Sequence, residues 1–198
     1  MRLPTRVHTA RPWRIHELAR DFRVEDVWVL PTPGGPDDFT RLMRLVTAWD
    51  PGQDGPLIVR ALFAIRWKLG ELAGWDGPKG ALDTRVRSLR ERLPLDLREG
   101  AAGPLFDALP FRSLYLRDDE WAAEVANDTM HGILHLGWVP DGSGGYRGEM
   151  AVYVKPNGLL GSVYMAAIRP IRYRVVYPAI LRELGRIWRV TSPAAIAP

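Results

Sequence analysis

Two histidines four residues apart, His131 and His135, are the pair of residues best placed to do chemistry. On a helix this spacing would bring both imidazoles to one face, about 6 Å apart. In a β-strand the same step separates them by roughly 13 Å, too far for two bonds to one metal ion. The neighbouring Ile133, Leu136 and Val139 favour a strand. We therefore predict no metal site, but two titratable groups on one sheet face, where they could line a pocket.

Sequence motifs for phosphate binding, nucleophilic catalysis and thiol chemistry are missing. The pair Gly34-Gly35 has no Gly-Lys-Ser/Thr after it, and the glycine run 142–145 meets Arg147 where a dinucleotide fingerprint needs glycine. Ser162 lacks the second glycine of a nucleophile elbow. The chain has no cysteine, which excludes disulfides and thiolate ligands. We therefore predict no bound cofactor.

Positive charge is concentrated towards the C-terminus. The chain has 27 Lys and Arg residues against 23 Asp and Glu residues, a net charge of +4. Between residues 155 and 189 the single acid Glu183 is set against seven cations: Lys155, Arg169, Arg172, Arg174, Arg182, Arg186 and Arg189. These cations could attract a phosphate, an acidic ligand or, weakly, an anionic membrane surface, or could simply form a solvated helix face. No RNA-binding signature accompanies them, so we expect no nucleic-acid partner.

Length and composition predict one globular domain. The chain has 198 residues, 46% hydrophobic and 25% charged, which suits a single core over residues 1–190 followed by a loose tail, 191–198. No apolar run approaches the roughly 20 residues that span a bilayer, and no apolar segment of a signal peptide follows Met1. We expect a cytoplasmic protein without integral membrane association. The sequence does not indicate whether it is a monomer or an oligomer.

Turn-forming residues divide the chain into helices and strands. A strand is expected at 24–30, a helix after Asp37-Asp38, and further helices over 57–73 and 84–92. Four extended segments follow, at residues 112–117, 120–127, 130–139 and 146–155. Because hairpin residues such as those of 141–145 separate them, we predict an antiparallel meander and an α+β fold.

A long helix is expected over residues 158–189, and its apolar stripe changes sides. Leu160, Val163, Ala167 and Ile171 share one side, whereas Val176, Ile180, Leu184 and Ile187 lie nearly opposite. Since Pro170 and Pro178 lie in and after this crossover, we predict that the helix bends or breaks there.

One segment resembles a known family. Residues 156–170 read PNGLLGSVYMAAIRP and are similar to the Asn-x-x-Gly-x-x-Tyr…Ile-x-Pro signature of a bacterial domain-of-unknown-function family in the START-like (SRPBCC, helix-grip) superfamily. Residues 62–70 resemble its helical Arg-containing segment, and residues 120–138 its strand pair. The likeness covers roughly residues 24–190. The family usually has a histidine where this chain has Arg172, and neither His131 nor His135 matches its strand histidine cleanly.

The resemblance implies an antiparallel sheet wrapped around a long C-terminal helix, with additional N-terminal helices. It also implies a cavity between the sheet and that helix, which in such proteins holds a hydrophobic or amphipathic small molecule. The residues expected to line the cavity are Tyr164, Ile168 and Arg169 on the helix and His131, His135 and Trp138 on a strand.

Tyr164 and Arg169 would orient the polar end of the ligand, although Arg169 could instead pair with Asp128 or Glu149. Two other functions remain open. The protein could be a cofactor-independent enzyme of the polyketide cyclase or hydratase type, with His135 as its candidate acid or base. It could also be a structural or interaction module with a filled core.

Overall fold

An antiparallel meander forms the centre of the fold, as the turn pattern predicts. The computed structural model describes residues 1–61, 64, 82, 86–127 and 129–191, apart from the side chains of 159–162, 164 and 165. Its five strands are β1 (Arg23–Val29), β2 (Arg112–Leu116), β3 (Glu120–Ala126), β4 (Met130–Pro140) and β5 (Tyr146–Pro156). They form one sheet in the order β1-β5-β4-β3-β2, so the first strand pairs with the last. The α+β prediction is confirmed.

Side chains in the tight turns set the register of the central strands. The carboxylate of Asp141 accepts hydrogen bonds from the backbone N–H of Ser143 at 2.7 Å and of Gly145 at 3.2 Å. At the preceding hairpin the Asn127 side chain accepts from the backbone N–H of Thr129 and of Met130, both at 3.0 Å. Such local bonds favour turns over continued strands. Asp128 itself lies outside the described residues.

The helices lie before, between and after the strands. They are α1 (Thr5–Thr9), α2 (Ile15–Leu18), α3 (Phe39–Ala48), α4 (Leu95–Glu99), α5 (Gly158–Ile171) and α6 (Tyr177–Val190). Two short 3₁₀ turns cover Pro36–Asp38 and Leu89–Arg92. Of the helix predicted over 57–73, residues 57–61 and 64 are helical, and the rest lies outside the described residues.

The predicted helix over 84–92 is wrong in extent. Within its described part only the turn Leu89–Arg92 is helical. Ser88 has extended backbone, and its hydroxyl accepts a hydrogen bond from the N–H of Arg90 at 3.2 Å. A serine that caps a turn in this way starts a helix instead of continuing one.

Both faces of the sheet are covered, by different parts of the chain. On one face, which we call the cap face, Trp13, Ile15 and Leu18 pack with Ile133 and Ala151. On the other, which we call the α6 face, the core contains residues of α3 and α6 together with strand residues: Leu42, Met43, Tyr177, Leu184, Trp188, Trp28, Leu136 and Trp138. Alternation along each strand separates the two sets.

The C-terminal helix becomes irregular at the predicted crossover, although its helical backbone continues through it. A π-helical turn, Arg172–Val176, separates α5 from α6 at the crossover of the apolar stripe. The buried residues of α6 pack on the sheet, whereas Val163 and Ile171 of α5 are 67% and 46% exposed. Packing of the sheet on the C-terminal helix is thus confirmed through α6. No helix in the described part of the chain is long and apolar enough to cross a membrane.

Candidate functional site

A strip of apolar side chains on the central strands is incompletely covered on the α6 face. Leu134 on β4 and Met150 and Val152 on β5 are only partly buried, although each strand has a neighbour on both sides. Leu134 lies opposite Val152 in the register, so the three side chains adjoin. We call these residues the apolar strip. Since apolar side chains at the middle of a covered sheet are usually buried, the strip is a surface on which an apolar molecule can lie.

A buried ion pair adjoins this strip. Asp26 on β1 lies opposite Val152, and its side chain is 0% exposed. Arg172, the first residue of the π turn, donates from Nη2 to Oδ2 of Asp26 and to the hydroxyl of Tyr177, both at 2.6 Å. Although burial works against the charged form, Tyr177 and Asp26 raise the pKa of Arg172. The π turn thus places a permanent cation beside the strip, and such turns occur frequently at functional sites.

Three buried polar atoms around this ion pair make no hydrogen bond within the described structure: Nη1 of Arg172, Oδ1 of Asp26 and Nε1 of Trp28. Trp28 lies two residues after Asp26 on the same strand, and its ring centroid is 5.0 Å from that of Tyr177. Buried polar groups in proteins are nearly always bonded, so these atoms can take part in binding.

Arg169 pairs with Glu25, an acid that the sequence analysis did not offer as its partner. It forms an ion pair with Glu25 at 2.8 Å, as Arg23 does at 2.6 Å, and Tyr173 donates to the backbone carbonyl of Glu25 at 3.2 Å. Despite burial, Arg23 and Arg169 hold the pKa of Glu25 below its usual value. Of the other helix residues, Ile168 is half-buried, and the side chain of Tyr164 lies outside the described part.

The structure does not bring the six predicted lining residues together. Trp138 lies on the α6 face, where its Nε1 donates to the carbonyl of Gly35 at 3.0 Å and its ring lies 6.1 Å from that of Trp188. His135 and His131 lie on the cap face. The common face predicted for the two histidines is confirmed, but that face is turned away from α6.

On the cap face, Glu120 is a buried carboxylate that accepts several hydrogen bonds. Its donors are Tyr115 Oη at 2.6 Å, His135 Nε2 at 3.1 Å, and the backbone N–H groups of Arg14 and Ile15, both at 3.0 Å. Although burial opposes ionisation, these bonds, led by that from His135, lower the pKa of Glu120 to about 2. Burial also lowers the pKa of His135 to about 4. Neutral His135 therefore donates from Nε2, and its Nδ1 lone pair is buried without a partner in the described structure.

A second chain of hydrogen bonds runs beside this pair. His8 Nδ1 lies 2.8 Å from Oε1 of Glu149, His8 Nε2 lies 2.8 Å from the hydroxyl of Tyr153, and that hydroxyl lies 3.1 Å from Nδ1 of His16. The His8 ring centroid is 4.9 Å from that of His135. Burial, followed by the nearby His8, lowers the pKa of His16. Three histidines and two carboxylates thus form one polar cluster beneath the N-terminal helices.

The other histidine, His131, pairs with Glu124, the carboxylate that holds the loop at residues 88–89 to the sheet. Its Nε2 bonds Oε2 of Glu124 at 2.8 Å. Glu124 also accepts from the hydroxyl of Ser88 and, at 3.0 Å, from the backbone N–H of Leu89. His131 and Glu124 thus pair diagonally across β3 and β4, as His135 and Glu120 do four residues away on each strand. No group of three or more His, Asp or Glu among the described residues has an arrangement that could hold a metal ion.

The N-terminal segment 5–18, which contains α1 and α2 and which we call the cap, is packed closely on the sheet where Trp13 meets Gly137, beside His135. A Cβ atom at Gly137 would lie 2.6 Å from Cζ2 of Trp13. We expect Gly137→Ala to lower the free energy of unfolding by about 1–3 kcal/mol through overpacking, measured by urea denaturation. Gly132→Ala on the same strand is the control, because its Cβ would meet the flexible Met130 Sδ at 3.1 Å. Equal stability of the two variants would contradict this tight contact.

Comparison with known proteins identifies the family of the chain. No curated protein and no solved structure matches it. A family model, described as "Protein of unknown function (DUF2867)", matches residues 18–179. The match contains Asp26, Arg172, Glu120 and His135, whereas His8, Trp13 and His16 of the cap lie before it. As the match covers most of the sequence, the chain belongs to the DUF2867 family.

Proposed function

We propose that the protein binds a small amphipathic molecule between the sheet and the C-terminal helices. The observation that carries this proposal is the partly exposed apolar strip beside the buried Asp26–Arg172 pair. An apolar surface with a few convergent polar groups is typical of small-molecule sites. The apolar part of the ligand would cover Leu134, Met150 and Val152, and its polar end would lie at Arg172.

The chain topology supports the proposal that the protein is START-like, with a helix-grip fold. The first strand pairs with the last, helix α3 lies between β1 and β2 in the chain, and α6, which follows the final strand, packs on the sheet. This is the order that the sequence resemblance implies. In this proposal the ligand occupies the face on which α6 packs, and Arg172 replaces Arg169 as the cation at its polar end.

Native mass spectrometry of gently purified protein tests the binding proposal. We expect a small molecule to co-purify with the wild type, and Nile red, a neutral apolar dye, to bind where that molecule is removed. Leu134→Gln should weaken dye binding at least about tenfold, because a polar amide would interrupt the strip.

Leu95→Gln is the matched control, since Leu95 is 67% exposed on α4, which packs against the cap face. It should bind the dye as the wild type does. A wild type with neither a co-purifying molecule nor Nile red binding would contradict the proposal and favour an interaction module with a filled core.

A cofactor-independent acid–base enzyme is the second candidate, and the Glu120–His135 pair favours it. Glu120 fixes the tautomer of His135 and leaves Nδ1 as a proton acceptor, the arrangement of a base held by an orienting carboxylate. Such an enzyme would act on the cap face, away from the apolar strip. Conversion of the co-purifying molecule to a new product by the protein alone would distinguish it from a binding protein.

A further inference from the structure

We propose that the polar end of the ligand is an uncharged hydroxyl group, and that Asp26, Arg172 and Trp28 recognise it. This inference rests on the proposed function and names the ligand class for the same site: an apolar alcohol or phenol. It comes from the three buried polar atoms that make no hydrogen bond within the described structure.

Their hydrogen-bonding types determine what can bind there. Nη1 of Arg172 and Nε1 of Trp28 can only donate, and Oδ1 of the Asp26 carboxylate, which pairs with Arg172, can only accept. A hydroxyl oxygen accepts up to two hydrogen bonds and donates one. The hydrogen-bonding capacity of one hydroxyl thus matches these three groups, whereas an ether can accept but cannot donate to Asp26.

The local charge balance disfavours an ionic group. The carboxylate of Asp26 and the guanidinium of Arg172 are 2.6 Å apart and neutralise each other. A carboxylate ligand would meet the fully buried Asp26, and an ammonium ligand would meet Arg172, whose side chain is 15% exposed. Two other arginines do not change this balance. Arg169 pairs with Glu25, and Arg2, whose Nε lies 3.9 Å from Oδ1 of Asp26, is 48% exposed and screened by water.

The position of these groups matches the apolar strip. Asp26 lies opposite Val152 and Trp28 lies opposite Met150 in the β1–β5 register. A hydroxyl held by Asp26 and Trp28 thus leaves the attached hydrocarbon in contact with the strip. The site would thus recognise a ligand that has one hydroxyl group at the end of an apolar hydrocarbon.

Four matched probes that share a ten-carbon chain test this inference by displacement of Nile red from the wild-type protein. The probes are decan-1-ol, decyl methyl ether, decanoate and decylammonium at pH 7. We expect decan-1-ol to displace the dye at a concentration at least about tenfold below that of each other probe. The ether is the sharpest comparison, because it is uncharged and more apolar than the alcohol, so a site without hydroxyl recognition would prefer it.

Trp28→Phe tests the assigned residues, since it keeps an aromatic ring and removes the N–H. It should weaken decan-1-ol binding about three- to tenfold and leave the binding of decylammonium unchanged, because an ammonium group cannot accept a hydrogen bond from the Trp28 N–H. Unchanged binding of decan-1-ol by this variant would overturn the assignment of Trp28.

The outcome with wild-type protein decides the ligand class even if the variant does not fold. Tightest binding of decanoate, of decylammonium or of the ether would overturn the hydroxyl inference and leave the binding proposal standing. Failure of Nile red and all four probes to bind would instead overturn the proposed function itself.

Discussion

Acidification from pH 6.5 to pH 4 is expected to destabilise the protein by about 3 kcal/mol through His135 alone. Burial lowers the pKa of this histidine to about 4 in the folded state, against 6.5 for an ordinary histidine. Between these values the unfolded chain binds a proton that the folded chain does not, so the free energy of unfolding falls as the pH falls. His16, whose pKa is also lowered, adds to the effect in the same direction.

Urea denaturation at half-unit steps between pH 7.5 and pH 4 measures this loss. His135→Gln removes the titrating group and keeps a donor for Glu120, so its stability should change less over this range than that of the wild type. Leu95→Gln, an exposed substitution, should keep the full pH dependence. An equally steep loss in His135→Gln would contradict the role of this histidine. Below about pH 4.5 a further loss is expected, because the unfolded chain binds a proton at Glu120 and the folded chain, in which the pKa of Glu120 is lowered to about 2, does not.

Replacing Glu120 by alanine is expected to cost about 3–5 kcal/mol, because four donors would lose their buried acceptor. For a chain of this size the loss corresponds to a fall in Tm of about 10 °C. Two of the donors are backbone N–H groups at the start of α2, so the cap should loosen first. Hydrogen exchange should therefore rise in α1 and α2 before it rises in the central strands.

Two further variants serve as references for the stability of Glu120→Ala. Glu120→Gln keeps one oxygen acceptor and should lie between the wild type and Glu120→Ala. Glu99→Ala removes an exposed carboxylate at the end of α4 and should stay within about 0.5 kcal/mol of the wild type. A loss below about 1 kcal/mol for Glu120→Ala would show that the cap does not depend on this carboxylate.

The strands and the position of the irregular turn in the C-terminal helix could be predicted from the sequence because their signals are local. Turn residues bound each strand, and β2 to β5 end within one residue of their predicted limits. The π turn lies where the apolar stripe of the helix changes sides, between two prolines. The short elements between residues 86 and 99 depend on contacts such as that of Ser88 with Glu124, which join distant segments and leave no local pattern.

The candidate site was less predictable for the same reason. The common face of His131 and His135 follows from their even spacing in a strand, and the odd spacing of His135 and Trp138 already places these two on opposite faces. Glu120 and Glu124 have the same four-residue spacing on the adjacent strand. This match in spacing could have predicted both His–Glu pairs. Nothing in the sequence shows that His8 would reach Glu149, or that Arg169 would pair with Glu25, since both contacts join segments more than 100 residues apart.

The π turn has a consequence for how this segment tolerates insertions and deletions. An α-helix turns by about 100° per residue, so the additional residue held in Arg172–Val176 rotates everything after it by that angle. This rotation of α6 directs Tyr177, Leu184 and Trp188 towards the sheet. Loss of a single residue here would restore a regular helix and turn that stripe away from its partner strands. The length of this segment is therefore more strictly constrained than its composition, and alignments of relatives should show substitutions in it but no gaps.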